Sequence, residues 1–162
     1  MAEMNDSFNE VTAEMLKVIS DYDSVTGFQG AYNIRQDSMC AGRKNSENIT
    51  IESKTDKPGI NIRVKPGTKG ETVYIPACVT HSNVDDLVYN DFFIGEGADV
   101  TIVAGCGVHS DGSETARHNG IHRFFLEKGA KVLYKEKHIG TGKGTGLRRI
   151  DPLTDAYLKE DS

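Results

Sequence analysis

An 11-residue pattern is written twice in this chain, 32 positions apart. Phe93-Ile94-Gly95-Glu96-Gly97-Ala98-Asp99-Val100-Thr101-Ile102-Val103 is answered by Phe125-Leu126-Glu127-Lys128-Gly129-Ala130-Lys131-Val132-Leu133-Tyr134-Lys135. A weaker copy precedes them, Val64-Lys65-Pro66-Gly67-Thr68-Lys69 and then Val73-Tyr74-Ile75, with Gly67 lying 30 positions before Gly97. A unit of this length cannot bury its own apolar face and has to stack on its neighbours. Val100, Ile102 and Ala104 alternate with Thr101, Val103 and Gly105. That period of two, carried by Val, Ile, Phe and Tyr, selects strands over helices. Each unit reads strand, Gly-Ala corner, strand, which predicts a parallel β-helix or a stacked β-sandwich.

The remaining features bound the function. The 162 residues make about one domain, and a net charge of −5 supplies no basic surplus to neutralise phosphates, so nucleic acid is not an expected partner. Lys143, Arg148 and Arg149 gather beside a glycine-rich loop and read as a solvated cluster. There is no apolar run of the ~20 residues that span a bilayer and no basic-then-apolar leader, so the expectation is a cytoplasmic protein that does not engage a membrane. In that compartment Cys40, Cys78 and Cys106 stay reduced.

Along the chain, Met1–Asn5 is expected to fray. Ser7-Phe8-Asn9-Glu10 reads as a capping box, and Phe8, Val11, Met15, Val18 and Ile19 fall at helical spacing up to about Asp21. The predicted division is a helix and linker over 1–29 and a β-helix domain over 30–162 that stops without a cap. The helix is expected to cover an edge or end of the sheet. Turn signals dominate from Asp21 to Glu47, with a short strand at Ala31–Arg35. Gly105–Asn119 reads as a polar insertion between the two strong copies, and Gly140–Gly146 as a flexible loop. In the latter, Gly142-Lys143 is followed by Gly144 rather than Ser or Thr, so it is not an ATP-binding loop. The pairs Asp85-Asp86 and Glu136/His138 read as solvated strand ends.

The chemistry-bearing candidates lie in the insertion. Cys106 stands between Gly105 and Gly107, which would leave its sulfur approachable, and His109 or His118 could lower its pKa. The plainer reading is a small buried side chain. His118 and His122 suggest a metal pair, but four residues of strand span ~13 Å, too far for one ion without a bend at Gly120. Ligation by Cys106, His118 and one further group stays open, with His109 and His122 as weaker metal candidates. Two histidines followed by Glu127 also approach the cupin pattern, at the wrong spacing.

Gly105-Cys106, Arg117-His118-Asn119-Gly120-Ile121-His122-Arg123-Phe124-Phe125-Leu126-Glu127-Lys128-Gly129-Ala130 and Lys137-His138-Ile139-Gly140 together resemble the SufB/SufD family of iron–sulfur cluster assembly scaffolds, in its compact SufBD form. Pro58-Gly59-Ile60, Val64-Lys65-Pro66-Gly67 and Val73–His81 fit the same family. The resemblance runs from about Gly30 to Pro152. It implies a right-handed parallel β-helix core and a complex with a SufC-like ABC ATPase. It also implies a second SufB/SufD-type subunit or a homodimer, a sulfur donor protein, and a transient iron–sulfur cluster as cargo. In the family, the cysteine at the position of Cys106 receives or relays persulfide sulfur, and the histidine at the position of His118 lies near the sulfur path. The chain would then be a scaffold and not an enzyme, with ATPase activity in its partner. The family's later coils, its cluster-ligating residues and its C-terminal helices have no counterpart here, so the expectation is an N-terminal half. Two alternatives stand beside this one: a structural half-subunit without cluster chemistry, and a cupin-like metal-binding enzyme.

Overall fold

Each repeat turns at a glycine with positive φ: 73° at Gly67, 67° at Gly97 and 66° at Gly129. A Cβ on Gly67 or Gly97 would meet nothing within 4 Å, so the backbone conformation, and not lack of room, demands glycine there. The corners stack by hydrogen bonds. Gly67 N donates to Glu96 O at 2.9 Å, Gly97 N to Lys128 O at 2.9 Å, and Gly129 N to Glu160 O at 3.0 Å. Every corner thus satisfies the one before it, which is what a single repeat could not do alone.

The computed structural model describes residues 6–162, so the segment expected to fray lies outside them. Strands β1 (Ala31–Gln36), β2 (Met39–Lys44), β5 (Lys69–Tyr74), β6 (Ala77–Val79), β8 (Asp99–His109) and β10 (Lys131–Thr141) make one sheet. Strands β3 (Ile49–Ser53), β4 (Gly59–Val64), β7 (Asp85–Ile94), β9 (Ala116–Leu126), β11 (Arg148–Ile150) and β12 (Leu153–Leu158) make the other. Two antiparallel hairpins, β1–β2 and β3–β4, open the fold; every later pairing is parallel. Over the described residues the result is a mainly β protein with one helix and a β-solenoid of about three turns. Its parallel ladders are not the double antiparallel sheet of a cupin.

Stacking at 32 residues puts like on like. Phe92 lies on Phe124 with centroids 4.5 Å apart and planes 5° from parallel, between the sheets among Ile62, Val73 and Ile102. On the outer face, Phe93 stacks on Phe125 at 5.2 Å and Phe125 on Tyr157 at 5.1 Å. Each interior ring contributes roughly 1.5–3 kcal/mol through burial, and stacked geometry adds about 0.5–1.5 kcal/mol.

Several local expectations give way. Helix α1 (Glu10–Ile19) is capped by Asn9, whose side chain accepts from Thr12 N at 2.9 Å, so Ser7 is not the cap. The helix covers a face of the first sheet rather than an edge: Met15, Leu16 and Ile19 pack on Ile34, Ala41 and Cys78. Strand β2 lies inside the supposed turn region, where Gly42 and charged residues hide its alternation. The supposed insertion is mostly strand, with only 110–115 between β8 and β9. The Gly140–Gly146 loop is pinned, because Arg148 Nη2 donates to the carbonyls of Ser110 and Gly142 at 2.9 Å and of Gly144 at 3.1 Å.

Candidate functional site

Strand parity decides which side chains meet. On β8, Val100, Ile102, Ala104, Cys106 and Val108 point into the solenoid, while Gly105 and Gly107 face outward beneath α1. A Cβ on Gly105 would stand 2.4 Å from Ile19 O, and one on Gly107 would stand 2.3 Å from Met15 Sδ. The glycines flanking Cys106 therefore make room for the helix; they do not open a path to the sulfur. Cys106 is 6% exposed. Burial, with the Glu136 carboxylate, Cys78 and Asp86 adding to it, pushes its thiol well above the ordinary cysteine range. No histidine offsets that, so the expected lowering of its pKa is not what the site provides.

On β9 the inward set is Ala116, His118, Gly120, His122, Phe124 and Leu126. Register places His118 over Asp86 and His122 over Asn90. His118 Nδ1 lies 3.0 Å from Asp86 Oδ2, and Arg35 grips the same carboxylate with Nη2 at 2.7 Å and Nε at 3.0 Å. Burial alone would raise the Asp86 pKa, but the hydrogen bonds from His118 and Arg35 outweigh it and hold the carboxyl well below its usual range. An ionised carboxylate only accepts, so Nδ1 of His118 donates and Nε2 is left facing the interior. Asp86, expected to be solvated, is 1% exposed.

His122 is 4% exposed, and its Nδ1 has no hydrogen-bond partner among the described residues; neither has Asn90 Oδ1. Burial, reinforced by His118 and His138, lowers the His122 pKa to about 4, so the ring is neutral near pH 7. The two imidazoles lean over Gly120: the position a Cβ would take there lies 2.8 Å from His122 Nε2 and 3.3 Å from His118 Nε2. The side chains undo the separation that strand rise alone imposes, because glycine leaves the space between them.

Cys106, His118, His122, Asn90 and Arg35 line one interior cavity with room for roughly one water-sized body. Above it, β10 sets His138 in register with Cys106, and Glu136 with Ala104. Tyr134 hydroxyl bonds Glu136, and His138 Nε2 lies 3.6 Å from Glu136 Oε2. Glu136 and His138 are thus exposed, as the sequence suggested, but they lie within β10 on the inward side of the last layer and not at a strand end. His109 is on the other side, its Nδ1 2.8 Å from Thr141 Oγ1 and its Nε2 2.9 Å from Asp111 Oδ2. It joins neither Cys106 nor the other two histidines. Cys78 is fully buried under α1, while the His81 ring three residues on is 65% exposed, so the two form no joint metal site. Among the described residues no three His, Cys, Asp or Glu side chains converge closely enough to enclose a metal ion. Among them, too, no helix is long and apolar enough to cross a membrane.

The chain is 32% identical over 89 residues to an iron–sulfur cluster assembly SufBD family protein MTH1150 homolog from Methanothermobacter thermautotrophicus strain Winter. It is 33% identical over 98 residues to an iron–sulfur cluster assembly SufBD family protein from Archaeoglobus fulgidus. Over about half its length, this chain is similar to proteins named as SufBD family members. The shared stretch is 54% of the chain and 21% of the first SufBD relative, and 59% and 26% for the second. The chain thus spans well under half the length of the SufBD proteins it matches. No family model matches it, and no solved structure does.

Sequence reasoning found Cys106, His118 and His122 but missed Asp86, Asn90, Arg35 and the inward placement of Glu136 and His138. The signal was present. Adding 32 to Asp86, Asn90 and Cys106 yields His118, His122 and His138.

Proposed function

We propose that this chain is a scaffold component in iron–sulfur cluster assembly, working with a SufC-like ABC ATPase and a second SufB/SufD-type subunit or a second copy of itself. What supports this reading is a buried thiol that faces the lumen of a SufBD-like solenoid beside two inward histidines. Cys106 is the sulfur-relay residue. Its thiolate attacks the outer sulfur of a donor protein's persulfide, a Cys106 persulfide forms, and the donor leaves as its own thiolate. Because the thiol is buried and protonated, its proton must pass to a neighbour. The Nε2 of His118, oriented by Asp86, is the acceptor the cavity offers. Sulfur reaches Cys106 through the interior and not past α1. The cluster is cargo, and the chain turns over no small molecule.

The test is anaerobic incubation with a persulfide-loaded donor, iron and reductant, followed by intact-protein mass spectrometry and visible absorbance. Wild type should gain the mass of a sulfur atom on Cys106 and support cluster absorbance; Cys106→Ser should do neither. Wild type taking up no sulfur while co-purifying with a second scaffold half would overturn the relay role and leave a structural subunit. The burial of Cys106 is the observation that favours that second reading.

A further inference from the structure

We propose that His118 and His122 form an open two-histidine binding site for a single divalent transition-metal ion, seated over Gly120 and completed by Asn90 and solvent-derived ligands. This site goes beyond sulfur relay and requires no cluster; the His118 Nε2 lone pair holds either the ion or the proton from Cys106, so the two roles alternate.

The first ground is convergence. Both Nε2 atoms lie within 2.8 and 3.3 Å of one point, the place where residue 120 would carry a Cβ. Laid end to end, those distances put the nitrogens no more than about 6 Å apart, whereas two imidazoles sharing an ion at 2.0–2.1 Å stand ~3–4 Å apart. Rotation of one ring would close the difference. His122 is the ring free to make it, since no hydrogen bond anchors its Nδ1.

The second ground is orientation. His118 donates Nδ1–H to Asp86, itself fixed by Arg35, which turns the Nε2 lone pair inward. A carboxylate behind an imidazole in this way is the arrangement that orients metal-ligating histidines and raises their basicity. The third ground is an unexplained donor: Asn90 Oδ1 is buried without a partner on the same cavity wall. Leaving such an oxygen unsatisfied is costly, and an ion or its bound water would satisfy it. Cavity size agrees, since a water-sized space suits an ion and excludes an organic ligand. Imidazole with an amide oxygen favours Co²⁺, Ni²⁺, Zn²⁺ or Fe²⁺ over Mg²⁺ or Ca²⁺. Among the described residues no third His, Cys, Asp or Glu ligand joins them, which makes the site open and the ion exchangeable.

Cobalt(II) is the probe. Chelator-stripped protein, without sulfur donor or sulfide, is titrated anaerobically with Co²⁺, reading d–d absorbance and thermal midpoint. Wild type should bind one equivalent with a raised midpoint. Gly120→Ala keeps both histidines but places a methyl 2.8 Å from His122 Nε2. It should weaken binding at least ~10-fold, on the scale of losses seen when the support of a metal ligand is disturbed. His122→Gln should do the same, and both variants report even if His118→Ala fails to fold. Cys106→Ser should bind as wild type does, so loss of sulfur uptake and loss of metal separate cleanly. Equal binding by wild type and Gly120→Ala, no binding by wild type, or a thiolate-to-cobalt band that vanishes in Cys106→Ser would each overturn the site.

Discussion

Replacing Asp86 by alanine strips the acceptor from Arg35 and His118 together. The Asp86 side chain is 1% exposed, that of His118 2% and that of Arg35 14%, so His118 regains no water in compensation and Arg35 regains little. Removing one partner of a buried, hydrogen-bonded charge pair typically costs ~3–5 kcal/mol, most of it the penalty of the stranded group. Arg35 is the less buried donor and recovers some solvation, which favours the lower half of that range. A domain of this size loses about 2–4 °C per kcal/mol, giving a fall of roughly 6–15 °C in thermal midpoint. Urea denaturation with an unchanged slope would show that the loss is in stability and not in compactness. Asp86→Asn keeps one acceptor oxygen and should cost less than the alanine change. Nitrogen-15 shifts should place the His118 proton on Nδ1 in wild type and lose that preference in Asp86→Ala. An alanine variant within ~2 °C of wild type, or no milder effect from asparagine, would refute the claim that this carboxylate organises the interior.

Four further outcomes test the architecture. Gly97→Ala should cost ~1–2 kcal/mol for its left-handed backbone alone, with no neighbour able to relieve it. Gly107→Ala should be rescued in part by Met15→Ala, because there the obstacle is the Met15 sulfur; a urea double-mutant cycle separates the two. Leu16→Lys, at a fully buried helix position, should loosen α1 and let iodoacetamide reach Cys78, whose thiol burial pushes up to about 12, while Cys106 stays protected. Equal labelling of both cysteines by mass spectrometry would contradict the opposite facing of the two. Asp91 is buried, but Arg123 and Lys54 outweigh that burial and hold its carboxyl below the usual range. Its stabilisation should be present above about pH 4 and vanish as pH falls through the lowered value, so Asp91→Asn should flatten the acid limb of a pH–stability curve.

The solenoid was legible because its period is carried by residues whose physics is local. A glycine at positive φ, an alanine behind it and β-branched alternation need no knowledge of distant partners. The first hairpins were less so. Strand β2 reads Met39-Cys40-Ala41-Gly42-Arg43-Lys44, where only Ala41 and Gly42 are buried, so the alternation that marks a strand never develops. The helix start was misplaced by two residues because Ser7 and Asn9 are both good caps, and the choice is made by tertiary contacts. Asn9 N donates to Gln36 Oε1 at 2.8 Å and Asn9 Nδ2 to Thr80 Oγ1 at 3.0 Å, both far off in sequence.

The site was half legible for a related reason. In an ordinary strand, polar residues mark the wet side, and by that rule Asp86, Asn90, His118 and His122 argue against a core. A solenoid lumen overturns the rule wherever one layer's polar group is met by another's at the same depth, as His118 meets Asp86. The flanks of Cys106 misled in the opposite direction, since a glycine pair looks like access when only one face is considered. Alternation requires that whatever faces Gly105 and Gly107 is on the far side of the sheet from the sulfur, and α1 fills it. Parity and the 32-residue offset, applied together, suffice to place His138 beside Cys106 in one sheet, and His118 and His122 beside Asp86 and Asn90 in the other, all on the interior side. Neither does so alone: parity gives the side but no neighbour, and the offset gives the neighbour but no side.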